Sequence, residues 1–303
     1  MADASGMPGL LRLMAAALVL FLGISAGPAA AQVTPAEIAR GKYVFGATGG
    51  CGCHTEPGKG KPVNAGGRKI DAPFGTVYST NITPDRETGI GGWTDEQIIT
   101  ATRLGRRPNG ERIVPVHPFM AFNGMAESDL KALVAFLKTL PPVKRQNQAK
   151  RITVPLFESV FLPAWLAAFA VREIPPAAAP TSGLARGEYL VKAVGHCGEC
   201  HTPRTRTQAL DNTRFLAGNP TGPENSEIPN ITPDKETGLT WSVDEIAYYL
   251  ASGNKPDGDV VGGIMGEVIY GNVAGYKDMT KADLTAVAQY LKSIPPVRNR
   301  IGK

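Results

Sequence analysis

The chain has 303 residues, 43% of them hydrophobic and 19% charged, with 35 glycines and 25 prolines. That composition fits a soluble, loop-rich protein long enough for two domains. The net charge of +5 is mild, and no basic cluster is interleaved with aromatics, which excludes a nucleic-acid binder.

Residues 1–31 stand apart. Arg12 precedes the apolar run Leu13–Leu22, and Ala29-Ala30-Ala31 offers a cleavage site before Gln32, the pattern of a secretory signal peptide. The run is too short to span a bilayer comfortably. No cysteine lies beside the cleavage site to carry a lipid. The expected mature chain begins near Gln32, in an exported and oxidising compartment.

From there the predicted elements are helices and loops. Thr34-Pro35 is a cap followed by proline in the first turn, opening a helix toward Ala47. Thr94 with Gln97 forms a capping box, with Trp93 stapled to Ile98, and that helix stops at Gly105. A turn follows at Pro108-Asn109-Gly110. Leu130, Leu133, Val134 and Leu137 share one face of a helix that ends before Pro141-Pro142. The stretch 152–171, ITVPLFESVFLPAWLAAFAV, is the most apolar part of the mature chain. Glu158 and two prolines make it a poor membrane span, and it reads as a linker and helix packed between two domains. The alternative reading is a docking surface. Lys144, Arg145, Lys150 and Arg151 before it read as a solvated loop.

The second half then repeats the first. Thr181 or Ser182 opens a helix, Ser242 and Glu245 form a capping box, Gly253 ends that helix, and Pro256-Asp257-Gly258 turns. Leu284, Val287, Ala288 and Leu291 share a face that ends before Pro295-Pro296. The sequences match as well. ARGKY at 39–43 matches ARGEY at 185–189, NITPDRETG at 81–89 matches NITPDKETG at 230–238, and Trp93 matches Trp241. The segment 125–143 matches 279–297. Such colinear self-similarity is the mark of an internal duplication. No convincing alternating strand is visible, so the predicted class is all-α with long loops.

The four cysteines lie in two matching places. Cys197-Gly-Glu-Cys200-His201 is a C-x-x-C-H run, and Cys51-Gly-Cys53-His54 is the same run one residue short. C-x-x-C-H is the attachment motif of c-type haem. Two cysteines on one turn reach the two vinyl groups as thioethers, and the adjacent histidine supplies the proximal nitrogen. A disulfide or redox pair does not need the following histidine twice, and zinc sites use other spacings. In the short copy Cys53 holds the normal place of the second cysteine, while the place of the first is taken by Gly50. Whether the displaced Cys51 forms a thioether is left open.

On these motifs, the two NITPD-x-ETG loops and the terminal helices, the chain resembles dihaem c-type cytochromes that serve as electron-transfer subunits of periplasmic alcohol, aldehyde, gluconate and related dehydrogenases. The resemblance covers essentially all of Gln32 to Lys303. It implies two tandem class I cytochrome c domains, at 32–142 and 181–303, joined by a linker at 143–180. It also implies two covalently bound haem c groups, and first and last helices crossing at Gly41 with Phe136 and at Gly187 with Tyr290.

The resemblance points to Met265 as the distal ligand of the second haem, opposite His201. The repeat places His117 at the matching position of the first half, opposite His54, with Met120 as the rival. Met125 reads as core packing and His196 as a structural residue. No catalytic residue is expected. The implied function is electron transfer from a partner dehydrogenase, through the first haem and then the second, to a soluble cytochrome or terminal oxidase. Peripheral membrane association is the most that is expected. The alternative is a dihaem enzyme, such as a thiosulfate dehydrogenase or a cytochrome c peroxidase, which needs an open or displaceable axial position. A haem-storage role is the third class.

Overall fold

Helices are the main regular structure among the described residues. The computed structural model describes residues 33–50, 52–170 and 172–302. The segment 1–31, read above as a signal peptide, and Cys51 lie outside the described residues. In the first half α1 spans Pro35–Ala47, α2 Asp95–Leu104, α3 Phe119–Phe122 and α4 Glu127–Leu137. The helix α5, Leu162–Phe169, follows a π-turn at Phe157–Phe161. In the second half α6 spans Gly183–Tyr189, α7 Gly198–His201, α8 Val243–Ser252, α9 Gly263–Tyr270 and α10 Lys281–Ser293.

The helix ends are set by local chemistry. Thr94 accepts from the Gln97 amide while Gln97 reaches back to the cap backbone, and Ser242 with Glu245 does the same. Thr34 and Glu37 form a third such box. Gly105 and Gly253 close α2 and α8 at φ of 59° and 78°, a left-handed region open to glycine at little cost. Ser182 stands at the start of α6, but its hydroxyl makes no capping bond. The backbone there runs through Gly183 at φ 66°, a left-handed start that Thr34-Pro35 does not share.

One expectation needs correction. The chain contains a small antiparallel sheet, β1 (Lys69–Ala72), β2 (Gly75–Tyr78) and β3 (Arg151–Ile152), in that order, with Ile70 opposite Val77 and Thr76 opposite Arg151. Strands of four and two residues are too short to leave a pattern. The sheet explains the apolar stretch. Leu162 packs with Val77 and Val114, against Ile70, Phe74, Ile152, Phe157 and Leu166, in a cluster of its own. Phe74 stacks on Phe157 at 4.3 Å. The stretch therefore rests mainly on the first half, and the Trp165 indole N–H reaches the second half at the Thr207 carbonyl, 2.6 Å away. The basic loop is also tied down: Arg145 bonds Glu56 at 2.6 Å and the Gly66 carbonyl at 3.0 Å, and Lys150 pairs with Glu111 and Glu158.

The first and last helices of each half cross where the sequence lacks a side chain. A Cβ on Gly41 would lie 1.9 Å from the Ala132 carbonyl oxygen, and one on Gly187 would lie 2.1 Å from that of Ala286. Backbone meets backbone at both crossings, which is what glycine permits. Above and below them lies a single core. It runs without a break from Val44, Leu130 and Phe136 to Tyr189, Val191, Leu284 and Leu291. Burial of these side chains is the main stabilising term, at roughly 25 cal/mol per Å² of apolar surface.

The halves also exchange hydrogen bonds. Arg40 bonds Asp129 at 2.7 Å within the first half, and Arg186 bonds Asp283 at 2.6 Å within the second. Tyr43 then donates to Asp283 at 2.5 Å, across the join, and Tyr189 donates to Asp129 at 2.8 Å in the opposite direction. Each carboxylate is shared between an arginine of its own half and a tyrosine of the other. Among the described residues no helix is long and apolar enough to cross a membrane.

Candidate haem sites

Each Cys-His motif sits on a short turn held by the long loop that follows it. In the second half α7 carries Cys200 and His201, and the His201 amide bonds the Cys197 carbonyl at 2.9 Å. In the first half Cys53 and His54 lie on a 3₁₀ turn, Gly52–His54. The loops then close over them. Gly66 donates to the His54 carbonyl and Gly218 to the His201 carbonyl, both at 2.7 Å.

The repeated NITPD-x-ETG loops explain themselves at this point. Buried Asn81 donates to the Val143 carbonyl at 2.7 Å, and its own oxygen accepts from Thr83 at 2.9 Å. Asn230 repeats this with Val297 at 2.8 Å and Thr232 at 3.0 Å. Asp85 and Asp234 each accept from a threonine amide three residues on, at 2.7 Å. The loops are thus pinned to the tails beyond α4 and α10. The pinned asparagines fix the carbonyls that immediately precede them. His54 Nδ1 lies 2.7 Å from the Thr80 carbonyl, and His201 Nδ1 lies 2.8 Å from the Pro229 carbonyl. A carbonyl only accepts, so Nδ1 carries the proton in both rings and Nε2 keeps its lone pair. Sequence reading singled out the histidines and missed these carbonyls, although the repeated motif beside each was the available signal.

The electrostatics suit neutral metal-ligating imidazoles. Burial holds both His54 and His201 below the usual histidine range, and the carbonyl bond opposes it. His117 is lowered to about 3, by burial first and then by the charge His54 would carry beside it. His117 thus lies within electrostatic reach of His54. The buried His117 Nδ1 has no hydrogen-bond partner among the described residues, which leaves that ring nitrogen uncommitted. Met120 is buried but turns to a small cavity of 60 Å³, lined also by Trp165, Phe169, His196 and Phe215. Met125 is fully buried core. Met265 lies on α9, half-buried against the shared core.

The cysteines do not have the character of a redox pair. Cys53, Cys197 and Cys200 are free thiols. Burial pushes Cys197 up to about 11 and Cys200 up to about 12, where a reactive thiol would be lowered. Cys53 has surface open to solvent, but the protein crowded around it still raises its thiol, with the Arg68 guanidinium pulling the other way. The Tyr276 hydroxyl beside Cys197 opposes part of the rise at that thiol. Cys53 also adds to the rise at Cys200, so the two motifs lie within electrostatic reach of each other. Phe122 packs edge-on to both His117, at 5.6 Å, and His196, at 5.1 Å. His196 is thus a packing residue at the join.

The donor set fits haem c: in each half thiols within one helical turn of an imidazole whose Nδ1 is anchored, and in the first half a further buried, neutral imidazole. Among the described residues no group of three or more His, Cys, Asp or Glu side chains forms an alternative metal cluster.

No family model matches the chain. It is 38% identical over 266 residues to a dihaem c-type cytochrome of Cereibacter sphaeroides, covering 86% of this chain and 87% of that one. It is 39% identical to the cytochrome c subunit of a quinone-dependent alcohol dehydrogenase of Gluconobacter oxydans, covering 93% of this chain. It is 36% identical to the cytochrome c subunit of a gluconate 2-dehydrogenase of Pantoea cypripedii, again over 93% of this chain. The chain spans only 60% and 65% of those two subunits. With the sequence motifs, the anchored histidines and a relative matched over nearly its whole length, the chain belongs to the dihaem c-type cytochromes.

Proposed function

We propose that this chain is a periplasmic electron carrier that takes electrons from a partner dehydrogenase and delivers them to a downstream cytochrome or oxidase. The observation that carries this reading is the pairing of imidazoles in the first half. His54 is anchored through Nδ1, and His117 is held neutral beside it. Two such ligands leave no open position for a substrate, which favours electron transfer over catalysis. The relatives include cytochrome subunits of alcohol, gluconate and fructose dehydrogenases, which supports a dehydrogenase as the donor. In this reading the matching halves are two duplicated cytochrome c domains, and the segment 1–31 exports the chain.

When bound, haem c supplies a one-electron iron couple. The chain's residues do the rest. Cys53, Cys197 and Cys200 would attach the group's edge, with the part of Cys51 left open. His54 and His201 would each offer an imidazole Nε2 to the iron, with their basicity raised by the Thr80 and Pro229 carbonyls. His117 and Met265 would supply the remaining ligand of the first and second group. A thioether in place of an imidazole raises the potential, so the second site is the more oxidising and the halves are ordered as donor side and acceptor side.

Low-temperature EPR of the oxidised protein, with a near-infrared scan, tests this. The expected result is two low-spin signals and a Met–iron charge-transfer band from one haem only. A high-spin ferric signal means an open iron and an enzyme, to be assayed with peroxide and thiosulfate. A redox titration that puts the first site above the second reverses the proposed order.

A further inference from the structure

The helix that carries Met265 is held by the first half as well as by its own. Arg68 lies just before β1 and is only 5% exposed. Its guanidinium donates to both Glu267 carboxylate oxygens, at 2.5 and 3.3 Å, and twice to Glu224 Oε1, at 2.7 and 3.2 Å. Glu267 is two residues beyond Met265 on α9. Glu224 sits at φ 57° on a turn, Pro223–Asn225, that packs against β1. A glutamate in the left-handed region is strained, and such strain persists only where the surroundings impose it. Here it presents the carboxylate to Arg68.

The backbone beside this triad shows the same docking independently. A Cβ on Gly49 would touch Val268 at 3.2 Å, one on Gly52 would approach Glu267 Oε2 at 3.6 Å, and one on Gly46 would meet the Gly275 carbonyl at 3.1 Å. At Gly50, with φ 64°, the Cβ would lie 2.3 Å from the Ala274 carbonyl oxygen. Gly50 is the position where an unshortened motif carries its first cysteine. The first Cys-His motif is therefore packed, glycine by glycine, against the end of α9 and the turn after it.

We propose that Arg68, with Glu267 and Glu224, is a positioning residue for Met265: it clamps α9 onto the first Cys-His motif, so that the distal ligand of the second haem is set by the first half. The link to the iron rests on the reading of Met265 as a ligand; the clamp on α9 does not. A planar, bidentate guanidinium between two carboxylates fixes angle as well as distance.

The test is made on the holoprotein with Arg68→Met, Arg68→Lys, Glu267→Gln and Lys150→Met. Hydrogen exchange is read over residues 263–275 alongside the Met–iron band and the pH at which that band disappears. The expected result for Arg68→Met is exchange over 263–275 faster by about tenfold, because removing one partner of a desolvated ion pair leaves the others uncompensated. The band weakens with it and is lost at lower pH. Glu267→Gln acts in the same direction, covering the case in which Arg68→Met does not fold, and Arg68→Lys restores part of the loss. Lys150→Met removes a cation that also stands between two carboxylates, Glu111 and Glu158, neither of them on α9, and leaves the exchange there unchanged. Unchanged exchange in Arg68→Met and Glu267→Gln, or an equal rise in Lys150→Met, overturns the clamp. Faster exchange with an unaltered band overturns its link to Met265. A wild-type protein with no Met–iron band overturns the ligand reading, and the exchange measurement still decides the clamp.

Discussion

The two halves solve the same problem with different margins. Each fixes the histidine of its Cys-His motif with a carbonyl ahead of a buried asparagine, and each crosses its end helices at a glycine. Yet the Arg186 side chain is 5% exposed and Arg40 39%, and Tyr189 is buried where Tyr43 is half open. The second half keeps the full C-x-x-C-H motif, while the first gives up a residue and packs its glycines against α9. What is repeated is what grips the histidine. What has diverged is the surface each half turns to the other, so the divergence records an interface rather than a loss of the site.

The glycine crossings give the largest expected effect on that comparison. Gly41→Ala and Gly187→Ala both push a methyl into a backbone carbonyl, and each is expected to cost about 3 kcal/mol or more. Because one core serves both halves, calorimetry should show a single transition lowered by either variant. Two separate transitions, only one of them shifted, would show halves that fold independently.

The exchanged tyrosines sharpen the comparison. Tyr189→Phe removes a buried hydroxyl that serves both Asp129 and the Ala126 amide, and is expected to cost about 1–3 kcal/mol. Tyr43→Phe acts at a more open position and is expected to cost about 1 kcal/mol or less. Denaturant melts of the two variants, with m-values, check the ranking. Equal costs would mean that burial does not distinguish the two joins.

The effect confined to acid conditions concerns His196. Burial lowers His196 to about 4, so it stays neutral in the fold while the unfolded chain takes up a proton near 6.5. Its folded value lies below its unfolded one. Its contribution is therefore complete above about pH 6.5 and is lost as pH falls toward 4. His196→Gln should flatten stability against pH in that window. The slope left behind belongs to the other buried histidines, and an unchanged slope would show that His196 carries none of it.

Much of this was legible in the sequence because it is local. The capping boxes, the glycine stops, the helix faces and the Cys-His motifs lie within a few residues of one another, where spacing alone decides the contact. The repeat extended that reach, since Gly41 with Phe136 could be checked against Gly187 with Tyr290, and His117 against Met265. Contacts across the join were not legible. Arg68 meets Glu267 over 199 residues and Tyr43 meets Asp283 over 240. No periodicity links such pairs, and surface arginines and tyrosines look the same whether or not a partner lies opposite. The sheet was missed for a different reason. Its third strand is two residues long, and it forms because Leu162 brings the chain back over Val77.

The cover over the first Cys-His motif carries a consequence for timing. Gly50 is closed off by Ala274, and Arg68 finds Glu267 only when that stretch is present. A chain made from its N terminus presents residues 50–54 well before residues 267–275. The first Cys-His motif thus emerges long before the stretch that encloses it. Whatever modifies it has the longest interval in which to work, and the closing of the two halves marks the end of that interval.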